Sequence, residues 1–475
     1  AEVGIVMFAF QICFLLFAVL YIVSYCIITR YKKKSDDHED EDAVVNRISL
    51  YLCTFTLAVS GGAVFLLPFS IISNEILLSF PKNYYIQWLN GSLIHGLWNL
   101  VSLFSNLCLF VLMPFAYFFL ESEGFAGSKK GIRARILETF VMLFLLALLI
   151  LGIVWVASAL IDNDAASMES LYDLWEFYLP YLYSCISLMG GLLLLMCTPV
   201  GLSRMFTVMG QLLVKPTILE DLDEQIYCIH LQEEALQRRL NGMSVGDLNK
   251  ELDNIRNQRN KLERRKKASG WEKNLLYPIV MLILLTGTTI SVLMVALNIL
   301  YLLVDETAMP KGSTVSLPGI GNTSLSTFGV AQAALEIILM FYLMVSSVVG
   351  FYSLRVFEVL TPRKDDTTMT TIIGCCVSIL VLSSALPVMS RTLGITRFDL
   401  LGDFGRFNWL GNFYIVLSYN MLFAVVTTLC LVRKFTSAVR EELLKALGLD
   451  KLQLSNSPTD PESGKLSANG HQKTL

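Results

Sequence analysis

The 475-residue sequence predicts an all-α integral membrane protein of about nine transmembrane helices, with a cytosolic helical hairpin between the fifth and the sixth. Three observations lead there. Apolar residues make up 54% of the chain and charged residues only 16%, where a soluble domain carries about a quarter charged. The apolar residues gather into nine runs of about twenty, the length at which a helix crosses hydrocarbon with its backbone bonded internally. Lysine and arginine divide unevenly between alternate connections, as they do when charge sets orientation.

In order, the predicted spans are Val3–Thr29, Ile48–Ile72, Leu93–Leu120, Thr139–Ile161, Phe177–Ser203, Leu275–Val304, Phe328–Ser353, Ile372–Ser390 and Gly411–Val432. Each is too long and too continuous for a strand. The first lacks the basic leader of a secretory signal, and a basic cluster follows it at Arg30, Lys32, Lys33 and Lys34. Of the 37 lysines and arginines, five (Lys82, Lys311, Arg391, Arg397 and Arg406) fall in the even-numbered connections. The other 32 fall in the odd-numbered connections and the tail. The charge rule therefore places the N-terminus outside and the C-terminus in the cytosol, and an odd number of spans requires the same.

Residues 1–203 thus hold the first five spans, and 275–433 the remaining four. Residues 204–274 form a coiled-coil-like cytosolic hairpin, and 434–475 a cytosolic tail expected to be mostly disordered after about 452. In the hairpin, Leu222, Ile226, Ile229, Leu236 and Leu240 repeat in steps of four and three, with Glu233 interrupting. Asn241-Gly242 marks a turn. Leu248, Leu252, Ile255, Arg259 and Leu262 then continue the rhythm. Two such helices over 219–262 are expected to bind cytosolic partners. The heptads, with Ser346 and Gly350 four apart in the seventh span, also fit a homodimer. Cys375 and Cys376, near the cytosolic face, read as packing thiols.

The outer connections are short. The fourth is acidic, and the eighth carries Arg391, Arg397 and Arg406 beside Asp399 and Asp403. Asp403-Phe404-Gly405 matches a kinase metal-binding tripeptide, but the glycine-rich loop, the strand lysine and the His-Arg-Asp loop that a kinase needs are lacking. Asp399, Asp403, Arg406 and Trp409 are instead expected to build an outer cap or a ligand contact. Asn322-Thr-Ser and Asn90-Gly-Ser are candidate glycosylation sequons. Within the spans, Glu336 and His95 stand out, because an ionisable group in hydrocarbon is costly. They read as helix–helix contacts or as parts of a transport path, with a His95–Glu336 contact open. Asn99, Asn106, Asn298, Asn412 and Asn420 add polar groups. No zinc-protease, Walker, redox-dithiol or serine-hydrolase motif is present, and no enzymatic activity, cofactor, metal or nucleic-acid partner is expected.

The segments "LPFSIISNE" (Leu67–Glu75), "NYYIQWLNGSLIHGLWNL" (Asn83–Leu100), "PFAYFFLESEGFAG" (Pro114–Gly127) and "FDLLGDFGRFNWLGNFYIV" (Phe398–Val416) resemble the family that includes the lipocalin-interacting membrane receptor. The resemblance covers essentially the whole chain. It implies a nine-span, receptor-like protein with its N-terminus outside, and a role in binding and internalising a lipocalin-type carrier or in signalling. It carries over no ligand-binding residue. A receptor in the plasma membrane is the expected function. A transporter or channel using Glu336, or a scaffold acting through the hairpin, are the alternatives.

Overall fold

The computed structural model describes residues 2–34, 40–122, 131–161, 169–213, 216–240, 246–304, 326–396 and 413–446. Among them the fold is helical. The helices are α1 (Glu2–Tyr31), α2 (Asp40–Ser79), α3 (Tyr84–Trp88), α4 (His95–Leu107), α5 (Met113–Glu121), α6 (Ile132–Ile161), α7 (Glu169–Leu213), α8 (Pro216–Leu240), α9 (Gly246–Val304), α10 (Ser326–Ser353), α11 (Met369–Thr392) and α12 (Phe413–Ala446). Nine helical segments among the described residues are long and apolar enough to cross a membrane, and they coincide with the nine predicted runs. Residues up to Thr427 form one compact unit and those from Thr428 a second; the second is helical as far as Ala446.

Two features depart from the simplest reading. The third span is α3, α4 and α5 in series, joined by π-helical turns at Leu89–Ile94 and Cys108–Leu112. The second turn lies directly before Pro114, which has no N–H to donate, and a widened turn absorbs the missing bond. The hairpin's second arm and the sixth span are also one helix. α9 runs 59 residues without interruption, about 88 Å at 1.5 Å per residue. The stretch between 262 and 275 is rich in Arg, Lys and Glu, which favour helix even where apolar periodicity lapses.

α7, α10, α11 and α2 form the core. Leu67, Trp98, Leu194, Leu202, Leu343 and Phe351 are fully buried there. In the most apolar stretch of each span, 72% of the eighth is buried, against 6% of the fourth and none of the first. α11 is therefore interior, while α1 and α6 present their apolar side chains to lipid. Lipid tails are as apolar as these side chains, so close packing and interhelical hydrogen bonds hold the core together. Thr198 and Ser347 join α7 to α10 at 2.7 Å, Thr288 and Tyr342 join α9 to α10 at 2.6 Å, and Trp98 Nε1 donates to Ser70 Oγ at 2.8 Å between α4 and α2. α7 and α10 approach closely at Gly201 and Gly350, where a Cβ on either would run into the other helix's backbone. Ser346 and Gly350, offered by the sequence as a dimer contact, are thus used within the chain.

α8 packs against the first half of α9. Glu233, which breaks the heptad, is only 7% exposed. It accepts from Arg256 Nε at 3.0 Å and from Arg259 Nη1 at 2.6 Å. The interruption is an ionic lock between the two arms, and Arg259 occupies the matching position on α9. Cys376 is buried with its Sγ 3.7 Å from the Cys53 carbonyl, and Cys375 Sγ donates to the Leu360 carbonyl. Both are packed thiols.

Candidate functional site

Asp399, Asp403, Arg406, Trp409 and Asn322 lie outside the described residues. The two ends of the segment that carries the first four are well defined. α11 stops at Thr392, and the chain turns through Gly394 at φ +75°, a left-handed conformation that suits glycine. Ile395 N returns to the Ser390 carbonyl at 3.0 Å, and Thr396 Oγ1 meets Ser390 Oγ at 3.0 Å. Leu393, Ile395 and Thr396 are each 1% exposed or less. The chain is therefore still buried four residues past the end of α11, at Thr396.

The last carbonyls of a helix lack partners of their own, and in hydrocarbon this is costly. Two asparagines from other spans supply one of them. Asn298 Nδ2 of α9 donates to the Thr392 carbonyl at 3.2 Å and to Asn420 Oδ1 at 3.0 Å. Asn420 Nδ2 of α12 donates to the same carbonyl at 3.0 Å and to the Val416 carbonyl at 2.8 Å. Gly394 sits against the Asn298 side chain, where a Cβ would approach within 2.5 Å. Beside this knot Leu302 and Val416 are buried together, with Phe413 packed on them. One buried polar cluster thus joins α9, α11 and α12 at the end of α11.

Asn298 and Asn420 stood out singly in the sequence. Their meeting did not, because it depends on where α11 stops. The Thr-Leu-Gly at 392–394 was the available signal, a helix end between two asparagine-bearing spans. Replacing Asn420 with alanine removes both of its donors. The expected loss is about 1–2 kcal/mol, read as a lower melting temperature of the purified protein. An Asn298→Ala, Asn420→Ala double variant should lose less than the sum of the singles, because the pair shares one acceptor.

Glu336 is 6% exposed, about 10 Å along α10 from the start of its span at Gly329, and Gln332 Nε2 donates to its Oε1 at 3.4 Å. His95 opens α4 directly after the first π turn, and its buried Nδ1 has no hydrogen-bond partner among the described residues. Asn106 Oδ1 is similarly buried without one, immediately ahead of the second π turn. Asn90 lies inside the first π turn, 3.5 Å from Ser73 Oγ, and so sits in the span rather than in a loop. The described residues contain no cluster of three or more His, Cys, Asp or Glu side chains able to hold a metal.

The model of the LMBR1-like membrane protein family matches residues 9–270 and 244–435. The Limb region 1 protein homolog of Gallus gallus is 82% identical over 472 residues, covering 98% of this chain and 96% of the relative. The Limb region 1 protein of Mus musculus is 81% identical over 470 residues, with the same coverage. Protein LMBR1L of Xenopus laevis is 63% identical over 453 residues, 94% of this chain and 93% of the relative. No solved structure matches the chain.

Proposed function

Because the chain belongs to the LMBR1-like membrane protein family, we propose that this multi-pass membrane protein is a cell-surface receptor that binds and takes up a lipocalin-type secreted protein. In this reading the N-terminus is outside, the eighth connection (397–412) forms part of the ligand face, and α8 with the first half of α9 engages cytosolic proteins. One observation carries it: α11, which the chain leaves before Asp399, Asp403, Arg406 and Trp409, ends on a carbonyl held by the buried Asn298 and Asn420 side chains. A short loop that leaves a helix end held this way can present a fixed surface. Several such loops together approach the roughly 800 Å² per partner of an ordinary protein interface. No catalytic step is assigned. Thr198 with Ser347, Thr288 with Tyr342, and Asn298 with Asn420 bond helix to helix inside the membrane region, which favours a structural role for them over a transport path.

Uptake of a labelled panel of lipocalins by cells with and without the protein tests the proposal. Saturable uptake that needs the protein, and that is lost with Asp403→Ala, Arg406→Ala at normal surface level, is expected. Uptake equal in both cell lines would reject the receptor reading.

A second reading, a membrane scaffold, draws on the continuity of α9. A hairpin that shares one helix with the sixth span is held at a fixed angle to the membrane and can display partners there. Under that reading, deleting residues 219–262 removes the recovered partners.

A further inference from the structure

α7, α10 and α11 share an end at which Arg204, the turn Arg355–Leu360 and the start of α11 line an open cavity of about 700 Å³. Its size is that of a small-molecule site. Three arginines line it, Arg204, Arg355 and Arg363, and none of them forms an ion pair among the described residues. Thr368 and Thr371 line it too, at the N-terminus of the 24-residue α11; Thr368 Oγ1 caps Thr371 N at 3.4 Å, and the dipole of the helix still favours an anion at this end.

One turn of the wall is held by hydrogen bonds, while the Arg204, Arg355 and Arg363 side chains are exposed. Thr367, 4% exposed, accepts from Arg363 N at 2.9 Å and donates back to the Arg363 carbonyl at 2.6 Å, closing the turn that carries Arg363. The same residue bridges to the end of α1: Lys33 N donates to its carbonyl at 3.0 Å, and its own N–H donates to the Tyr31 carbonyl at 3.2 Å. The bridge brings the basic cluster Lys32, Lys33 and Lys34 alongside. Two carboxylates, Glu358 and Asp366, also line the cavity. They oppose a bare anion but accept hydrogen bonds from hydroxyl groups. The chemistry that satisfies both sets is a phosphorylated polyol. Val356 and Val359, on the turn at the cavity edge, are 79% and 85% exposed. They lie between the end of the seventh span at Ser353 and the start of the eighth at Met369.

The geometry points to a binding site for an inositol phosphate head group, delivered by a membrane phosphoinositide, with its phosphates on Arg204, Arg355 and Arg363 and its ring hydroxyls on Glu358 and Asp366. Arginine suits this role, since its planar fork takes phosphate oxygens two at a time.

The full chain, purified in detergent, is titrated with short-chain phosphatidylinositol bisphosphate, with free inositol trisphosphate and with short-chain phosphatidylserine, and thermal stabilisation is read. Saturable stabilisation by the bisphosphate lipid, not matched by phosphatidylserine, is expected. The free head group separates the sources: weaker stabilisation supports the lipid, and equal stabilisation assigns the site to the soluble phosphate. Arg204→Gln and Arg363→Gln should each weaken binding about tenfold, while Arg133→Gln, outside the cavity lining, should not. The basal melting temperature reports whether each variant folds. Equal response to phosphatidylserine, or unchanged affinity in the folded Arg204→Gln, Arg363→Gln double variant, would overturn the assignment. Because the assay is in micelles, it does not depend on which side of the membrane this end faces.

Discussion

Gly350→Leu is expected to abolish recovery of folded protein. At this position a Cβ would meet the Cys197 carbonyl oxygen and come within 2.7 Å of Gly201 N. Both atoms are backbone, so no side chain can turn away. Overpacking against side chains that can yield costs about 1–3 kcal/mol. Here α7 and α10 must separate, and the Thr198–Ser347 hydrogen bond and the packing of Leu343 and Phe351 go with them. A loss above about 4 kcal/mol is a large part of the 5–15 kcal/mol that holds a typical fold. Size-exclusion profiles of a fluorescent fusion read the outcome. Gly152→Leu is the control, since Gly152 is exposed on α6 with nothing within 4 Å of a new Cβ, and it should elute as the unsubstituted protein does. A Gly350→Leu profile indistinguishable from that control would refute the close approach of α7 and α10.

The second large effect is local. Glu233→Ala leaves Arg256 and Arg259 facing the α8–α9 seam without their carboxylate. Breaking a fully buried pair in this way costs about 3–5 kcal/mol. The arginine side chains are 43% and 28% exposed and keep some water, so about 2–3 kcal/mol is expected. Amide exchange across 226–262 should speed up accordingly. Glu233→Leu combined with Arg259→Leu should restore much of the protection, because an apolar pair in a heptad seam replaces an ion pair at little cost. Wild-type protection in Glu233→Ala would show that the lock contributes nothing.

The spans were legible because hydrocarbon leaves a chain few choices. A run such as Ile132–Val156 is a bilayer helix by length alone. The hairpin was legible from its heptads, and Glu233 was visible as the residue that broke them. Its partners were not, because a register across a turn depends on packing. The continuity of α9 was hidden by its own composition: apolar periodicity stops near Leu262, yet helix propensity does not. The π turns around His95 and Asn106 leave no periodic trace, although Pro114 hinted at the second. The asparagine knot needed two spans and a helix end at one depth, and a linear pattern encodes no depth finer than a turn or so. The cavity at Arg204 and Arg363 joins residues some 160 positions apart, and in the sequence its arginines were part of the general basic bias.

Residues 397–412, which follow the α11 end held by Asn298 and Asn420, are proposed to form a ligand face. The direct measurement is binding of purified lipocalins to the purified protein in nanodiscs, before and after those sixteen residues are replaced by a Gly-Ser linker of equal length. The account predicts saturable binding by the unsubstituted protein and at least about a hundredfold weaker binding by the replacement, as expected when the central contacts of an interface are removed, with the melting temperature nearly unchanged. Equal binding by both proteins, or by neither, would contradict it.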